Sequence, residues 1–165
     1  MNNFYEQLVT TYKTSFYKTV NVATVIFGCI GIACFSINMI LAIVLLGVAI
    51  AGFFYKQRLF VEYEYQFTEG EINIVKIIDM KKRSKIATFN IKEVGLLAPE
   101  ESDAVEDYGN KPKNISKCYP ATSKARVYVA MVMEENNKMQ LRFVPDEKFL
   151  ENCYKYNPRA VKKII

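Results

Sequence analysis

No charged residue lies between Lys18 and Lys56. The intervening run of Val, Ile, Leu, Ala, Phe and Gly is too long for any element of a small soluble core. As one helix it would reach roughly 50–55 Å, well beyond the ~30 Å hydrocarbon layer of a bilayer. Its one polar cluster, Ser36-Ile37-Asn38, divides it into two segments that each nearly fit. The pattern predicts a transmembrane helical hairpin, residues 20–35 and 39–55, crossing the bilayer twice. Asn38, the most polar residue of the run, is expected to end helices at the turn.

The flanks orient this hairpin. Lys13 and Lys18 precede it, Lys56 and Arg58 follow it, and the turn carries no charge. Basic flanks stay in the cytoplasm, so the expectation is a two-span protein of the cell membrane with both termini cytoplasmic. Apolar residues continue past Cys29 and Cys34, which argues against a cleaved lipoprotein signal. The spans hold no ionisable side chain, which disfavours a proton relay or an ion pathway. Thr24, Gly28 and Gly31 on one helix and Ala42, Gly47 and Ala51 on the other are expected to let the pair approach closely. Phe16, Tyr17, Phe53, Phe54 and Tyr55 would sit at one membrane interface.

Ahead of the hairpin, Phe4, Leu8, Tyr12 and Phe16 recur every four residues, the mark of an amphipathic helix over residues 1–19. Asn2 or Asn3 would cap it, with Glu6 in its first turn. Beyond Arg58 the period changes to two. Val61, Tyr63, Tyr65 and Phe67 fall on one strand face, and Glu62, Glu64, Gln66 and Thr68 on the other. Further strands are expected at 72–78, 86–89, 94–98, 127–133 and 139–144, with a weak one near 118–122. Residues 79–84 read as a basic turn and 100–116 as a solvated, mobile loop. Asp146 should cap a last helix over 146–156, burying Phe149, Leu150, Cys153 and Tyr154.

About seven short strands followed by one helix is the plan of a barrel like that of pleckstrin-homology (PH) domains, the alternative being a simpler antiparallel sheet with the helix packed across it. The fold class is thus an α+β membrane protein: a transmembrane hairpin, then a small antiparallel β domain with a C-terminal helix. The expected units are a helix at 1–19, the hairpin at 20–55, and a cytoplasmic PH-like domain at 56–165.

Catalytic chemistry finds little to stand on. The chain has no histidine, which removes the commonest general base, and no phosphate-cradling glycine motif. Without histidine or a CxxC pair there is no zinc spacing, and no cofactor or metal is expected. The four cysteines read as reduced, buried, small apolar residues. Glu62 and Glu64 are expected to be solvated or paired with neighbouring lysines. A net charge of +5 with interspersed acids disfavours nucleic acid as a partner. The one charge cluster that suggests a ligand is the basic turn. Lys81, Lys82, Arg83 and Lys85 would meet anionic lipid headgroups, each basic residue near such a surface contributing ~1 kcal/mol.

The order of hairpin, Glu62-Tyr63-Glu64-Tyr65, Gly70-Glu71-Ile72 and the Lys81-to-Lys85 cluster resembles an uncharacterised family of small two-span bacterial membrane proteins. More distantly, the chain resembles membrane-anchored bacterial PH-like proteins. Both resemblances imply architecture and neither supplies catalytic residues. The expected function is a non-enzymatic, membrane-anchored module that presents its PH-like domain to a protein partner or to anionic lipid. The alternative is an accessory subunit of a transporter or export complex that binds through its hairpin.

Overall fold

In the computed structural model the uncharged run does break at the polar cluster. The structure describes residues 4–11, 15–78, 80–109, 111–134 and 137–162. Helix α1, Ser15–Ala33, ends in a 3-10 turn at Cys34–Ser36, and α2 follows at Met39–Leu59. Asn38 ends one helix and starts the other: its backbone is extended, and its side-chain oxygen accepts from the Leu41 N–H at 3.1 Å. That bond satisfies one of the free donors of the first turn.

The helices run antiparallel in close contact. A Cβ at Gly31 would lie 3.0 Å from Leu46 Cγ, and one at Gly52 would lie 2.6 Å from Thr24 Oγ1. Gly28 faces Ala49, Ala42 is fully buried, and Lys56 Nζ donates to Asn21 Oδ1 at 2.9 Å. Two of the expected interface residues face elsewhere: nothing approaches Gly47 within 4 Å, and Ala51 is exposed. The stretches Ser15–Ser36 and Met39–Lys56 are both long and apolar enough to cross a membrane.

The N-terminal segment is not the expected helix. Phe4–Val9 is a strand, β1, and α1 begins only at Ser15. Six residues are too few to separate a period of four from a period of two, and the neighbouring strand decides between them. The proposed caps at Asn2 and Asn3, and Tyr12 of the apolar stripe, lie outside the described residues. Strand β2, Val61–Thr68, pairs antiparallel with β1 from Phe4↔Thr68 to Val9↔Tyr63. The hairpin is therefore inserted between two adjacent strands. The β domain consists of residues 4–9 and 61–162 together, rather than the single stretch 56–165.

Two four-stranded sheets make up this domain. In the first the order is β1-β2-β3-β4, with β3 at Glu71–Ile78 and β4 at Lys82–Asn90. The β2–β3 turn needs positive φ at Glu69 and Gly70, and a Cβ at Gly70 would also meet the Tyr156 ring at 2.9 Å. In the second sheet β5, Val94–Pro99, pairs with β7, Tyr128–Glu134, which pairs with β8, Asn137–Phe143. The weak strand expected near 118–122 forms slightly earlier, as β6 at Ile115–Lys117, and runs parallel to β8. The expected loop at 100–116 is partly ordered. Its short helix α3, Asp103–Glu106, lays Val105 over Leu96, Ala98, Val129 and Met131.

Helix α4, Glu147–Tyr156, starts where expected, with Asp146 Oδ1 accepting from the Phe149 N–H at 2.8 Å. Phe149, Leu150 and Cys153 are buried, whereas Tyr154 turns outward. Phe149 is fully buried among the rings of Tyr5, Tyr65, Phe67 and Phe143, which come from both sheets. The helix thus closes the end of the barrel where β1 begins and β2 ends. The opposite end is where β1 leads into α1 and α2 leads into β2.

Candidate membrane-facing surface

Strand register places the basic cluster. Val61, two residues beyond α2, pairs with Ile78, and Ile78 pairs with Lys82. The row Val61–Ile78–Lys82 crosses three strands at ~4.8 Å spacing, so the β3–β4 tip lies about 10 Å from the point where the chain leaves the hairpin. On the other side of β2, the Thr11 hydroxyl bonds the Val61 carbonyl oxygen, holding the lead into α1 at the same level.

The cluster is less turn and more strand than its sequence suggests. Asp79 lies outside the described residues, Met80 and Lys81 form the tip, and β4 already begins at Lys82. Met80 adopts a left-handed backbone (φ 57°) and is 69% exposed, held by the Lys81 N–H donating to the Ile78 carbonyl oxygen. Because Lys82, Arg83 and Lys85 occupy a strand, they alternate. Arg83 and Lys85 share the outer sheet face with Glu62 and Glu64, whereas Lys82 shares the core-side face with Val61 and Ile78.

Of the two expectations for the acids on the outer face, solvation fails: Glu62 is 6% exposed and Glu64 only 2%, and Glu64 is paired, though with an arginine rather than a lysine. A buried carboxylate requires partners. Glu64 has them in Arg83 Nη1, 3.2 Å away, and in the Gln66 side-chain amide. Arg83 is thereby partly committed within the protein, whereas Lys81, Lys82 and Lys85 form no ion pair among the described residues. The Glu64–Arg83 pair escaped the sequence reading because it depends on β2 and β4 flanking the same strand.

Elsewhere the ionisable groups are structural. Tyr65 is buried, donates its hydroxyl to the Cys118 carbonyl oxygen at 2.6 Å and accepts from the Val144 N–H, and burial raises its pKa. Tyr63 is raised likewise, chiefly by burial. Burial lifts the Cys118 thiol to about 11 and the Cys153 thiol to about 12. Neither is a thiolate at neutral pH, so neither serves as a nucleophile. The expectation that every cysteine is buried holds for these two, whereas Cys29 is exposed on α1. Among the described residues no group of three or more acidic or cysteine side chains is placed to hold a metal ion.

Two packed sheets closed at one end by a C-terminal helix, with no catalytic constellation among the described residues, define a PH-like domain, a class generally used for binding rather than catalysis. The chain belongs to the family described as Bacterial PH-like domain (DUF6106), whose model matches residues 1–163 and so includes β1 and the hairpin with the rest. No curated protein and no solved structure matches it.

Proposed function

We propose that this protein is a non-enzymatic, membrane-anchored module. Its α1–α2 hairpin crosses the bilayer twice, and its PH-like domain lies against the cytoplasmic leaflet, where the β3–β4 tip meets anionic headgroups. The observation that carries this reading is the row Val61–Ile78–Lys82, which ties the basic tip to the end of the barrel from which the apolar helices emerge. An exposed methionine followed by two lysines suits such a surface, the apolar side chain entering the interface and the ammonium groups meeting phosphates.

Lys81, Lys82 and Lys85 at ~1 kcal/mol each supply about 3 kcal/mol, too little to recruit a free domain but enough to orient one already tethered. The test uses the full-length protein in nanodiscs, comparing amide exchange of residues 80–85 between zwitterionic and anionic lipid. Protection is expected only with anionic lipid, and it should fade with salt and with charge reversal of the three lysines. Identical exchange in both lipids would overturn the role of the tip. Orientation is tested by thiol labelling of Asn38→Cys and Ser102→Cys in intact cells, in a background without the native cysteines. An impermeant reagent should reach the first and spare the second; the reverse pattern would refute cytoplasmic termini.

One observation favours the second reading, an accessory subunit that binds through its hairpin. Gly47 and Ala51, one turn apart on α2, are left uncovered by α1, and small residues at this spacing let another helix approach closely. Replacing the hairpin with an unrelated one preserves the first function and abolishes this one.

A further inference from the structure

The sheets offer four free edges, and three of them are guarded. Strand β4 carries exposed Lys82, Arg83 and Lys85 and breaks register beside Ile86. The edge of β5 is covered by the chain itself: Leu97 donates its N–H to the Ala160 carbonyl oxygen at 2.9 Å and accepts from Lys162 at 2.8 Å. Strand β6 is only three residues long. Lysines, irregular register, short length and covering chain are the usual means of keeping an edge from pairing with another chain.

Among the described residues, strand β1 has none of these over its second half. Its first half is tied to the start of α4, where the Tyr5 hydroxyl donates to the Asp146 carboxylate. Gln7 Nε2 donates to the Val144 carbonyl oxygen at 2.9 Å, and Gln7 Oε1 accepts from the Asp146 N–H at 2.9 Å. The glutamine amide thus stands in for a strand partner at one position. Beyond it the seam between the sheets opens into a groove of about 830 Å³, lined among the described residues by Gln7, Leu8, Val9 and Thr10 on one wall, Thr122–Ala125 on the other, and Val144.

Two features of the far wall point to an occupant. Among the described residues Lys124 is the one ionisable side chain lining the groove, so the complementary charge there is negative. The Thr122 hydroxyl is shut off from solvent without a hydrogen-bond partner among the described residues. Buried polar groups are normally satisfied, and Thr122 is itself one of the residues lining the groove.

We propose that the groove takes an extended, acidic segment of a partner protein, paired main chain to main chain with residues 7–10 of β1. Its backbone supplies the missing ladder partner, and an acidic side chain meets Lys124. This inference stands apart from the lipid contact of the β3–β4 tip, because it uses neither the tip nor its lysines.

The test presents a random library of short acetylated peptides to the full-length protein in zwitterionic nanodiscs. Selected peptides are expected to share an Asp or Glu at one position. Lys124→Glu, a change at an exposed residue, should turn that preference to Lys or Arg. N-methylation of a selected peptide at alternate amides should weaken binding on the order of tenfold or more in one phase and little in the other, as loss of ladder bonds requires. Selection unchanged by Lys124→Glu, or binding indifferent to methylation in both phases, would overturn the proposal. So would a groove that selects no peptide but is protected by anionic lipid.

Discussion

The hairpin and the β domain use the same apolar side chains in opposite ways. In the β domain Phe67, Phe143 and Phe149 are buried edge to face against one another, and the aromatic cluster joins both sheets. In the hairpin Phe35, Phe53, Phe54 and Ile40 point outward, Ile40 being 77% exposed, while Gly28, Gly31, Gly52 and Ala49 face the partner helix. One region hides its large groups and the other displays them. Burial of large apolar surface drives folding in water, but between helices in lipid it gains little, and close backbone contact takes its place. The contrast is what the proposed membrane anchoring requires, one half folding in water and the other in lipid.

The strongest way to break this comparison is to remove the ring on which the aqueous half converges. Phe149→Ala is expected to cost about 3–5 kcal/mol, because four other rings surround the vacated space and cannot collapse into it. Hydrogen exchange of the β domain in nanodiscs reads this directly, and exchange in α1 and α2 should stay unchanged. Coupled loss in the helices would mean that the two regions are one cooperative unit.

The converse change enlarges a small residue in the hairpin. Gly52→Leu drives a side chain into Thr24 and should cost about 1–3 kcal/mol of helix pairing. Gly47→Leu meets open space and should stay within about 0.5 kcal/mol of the parent. Disulfide crosslinking rates between cysteines introduced on α1 and α2 would rank the two variants. Equal effects would show that the helices pack through another face.

The smallest effect sharpens the comparison at the seam. The hydrogen bond to Asp146, with burial and the charge of that carboxylate adding to it, raises the Tyr5 pKa from 10.0 to about 12. Below pH 10 the phenol is protonated in both states and the bond contributes fully. Between pH 10 and about 12 the unfolded chain releases its proton while the folded one keeps it, so stability falls as pH rises. The wild type should lose more stability across this window than Tyr5→Phe. Parallel unfolding curves for the two would remove Tyr5 as the cause.

What was legible in the sequence follows the same division. The hairpin was readable because absence of charge over that length has few physical solutions, and α4 because Asp146 and the Phe149–Leu150–Cys153 stripe are local signals. Strand β1 was not, since its identity depends on a partner strand far away in the chain. Nor was the burial of Glu62 and Glu64, which alternation assigned to a face without saying what would cover it. The small residues of the hairpin were recognisable, but the rotation of each helix, which leaves Gly47 and Ala51 outside, was not. The basic cluster was found as a set of residues, whereas its division between two faces of a ribbon is a matter of register.

The insertion of the hairpin between β1 and β2 has a consequence for how the protein is made. Val9 leaves the ribosome well before Tyr63, its partner, with both apolar helices between them. At ~5–20 residues per second the first strand waits roughly 3–10 s for its neighbour. If the hairpin spans the bilayer as proposed, its helices must find the membrane during that interval. The sheet can be sealed only once both ends of the hairpin have returned to the same side, so a pairing of β1 with β2 is also a record that insertion succeeded. A chain that threads only one helix leaves β1 stranded across the membrane from its partner, with a barrel that lacks its first stave.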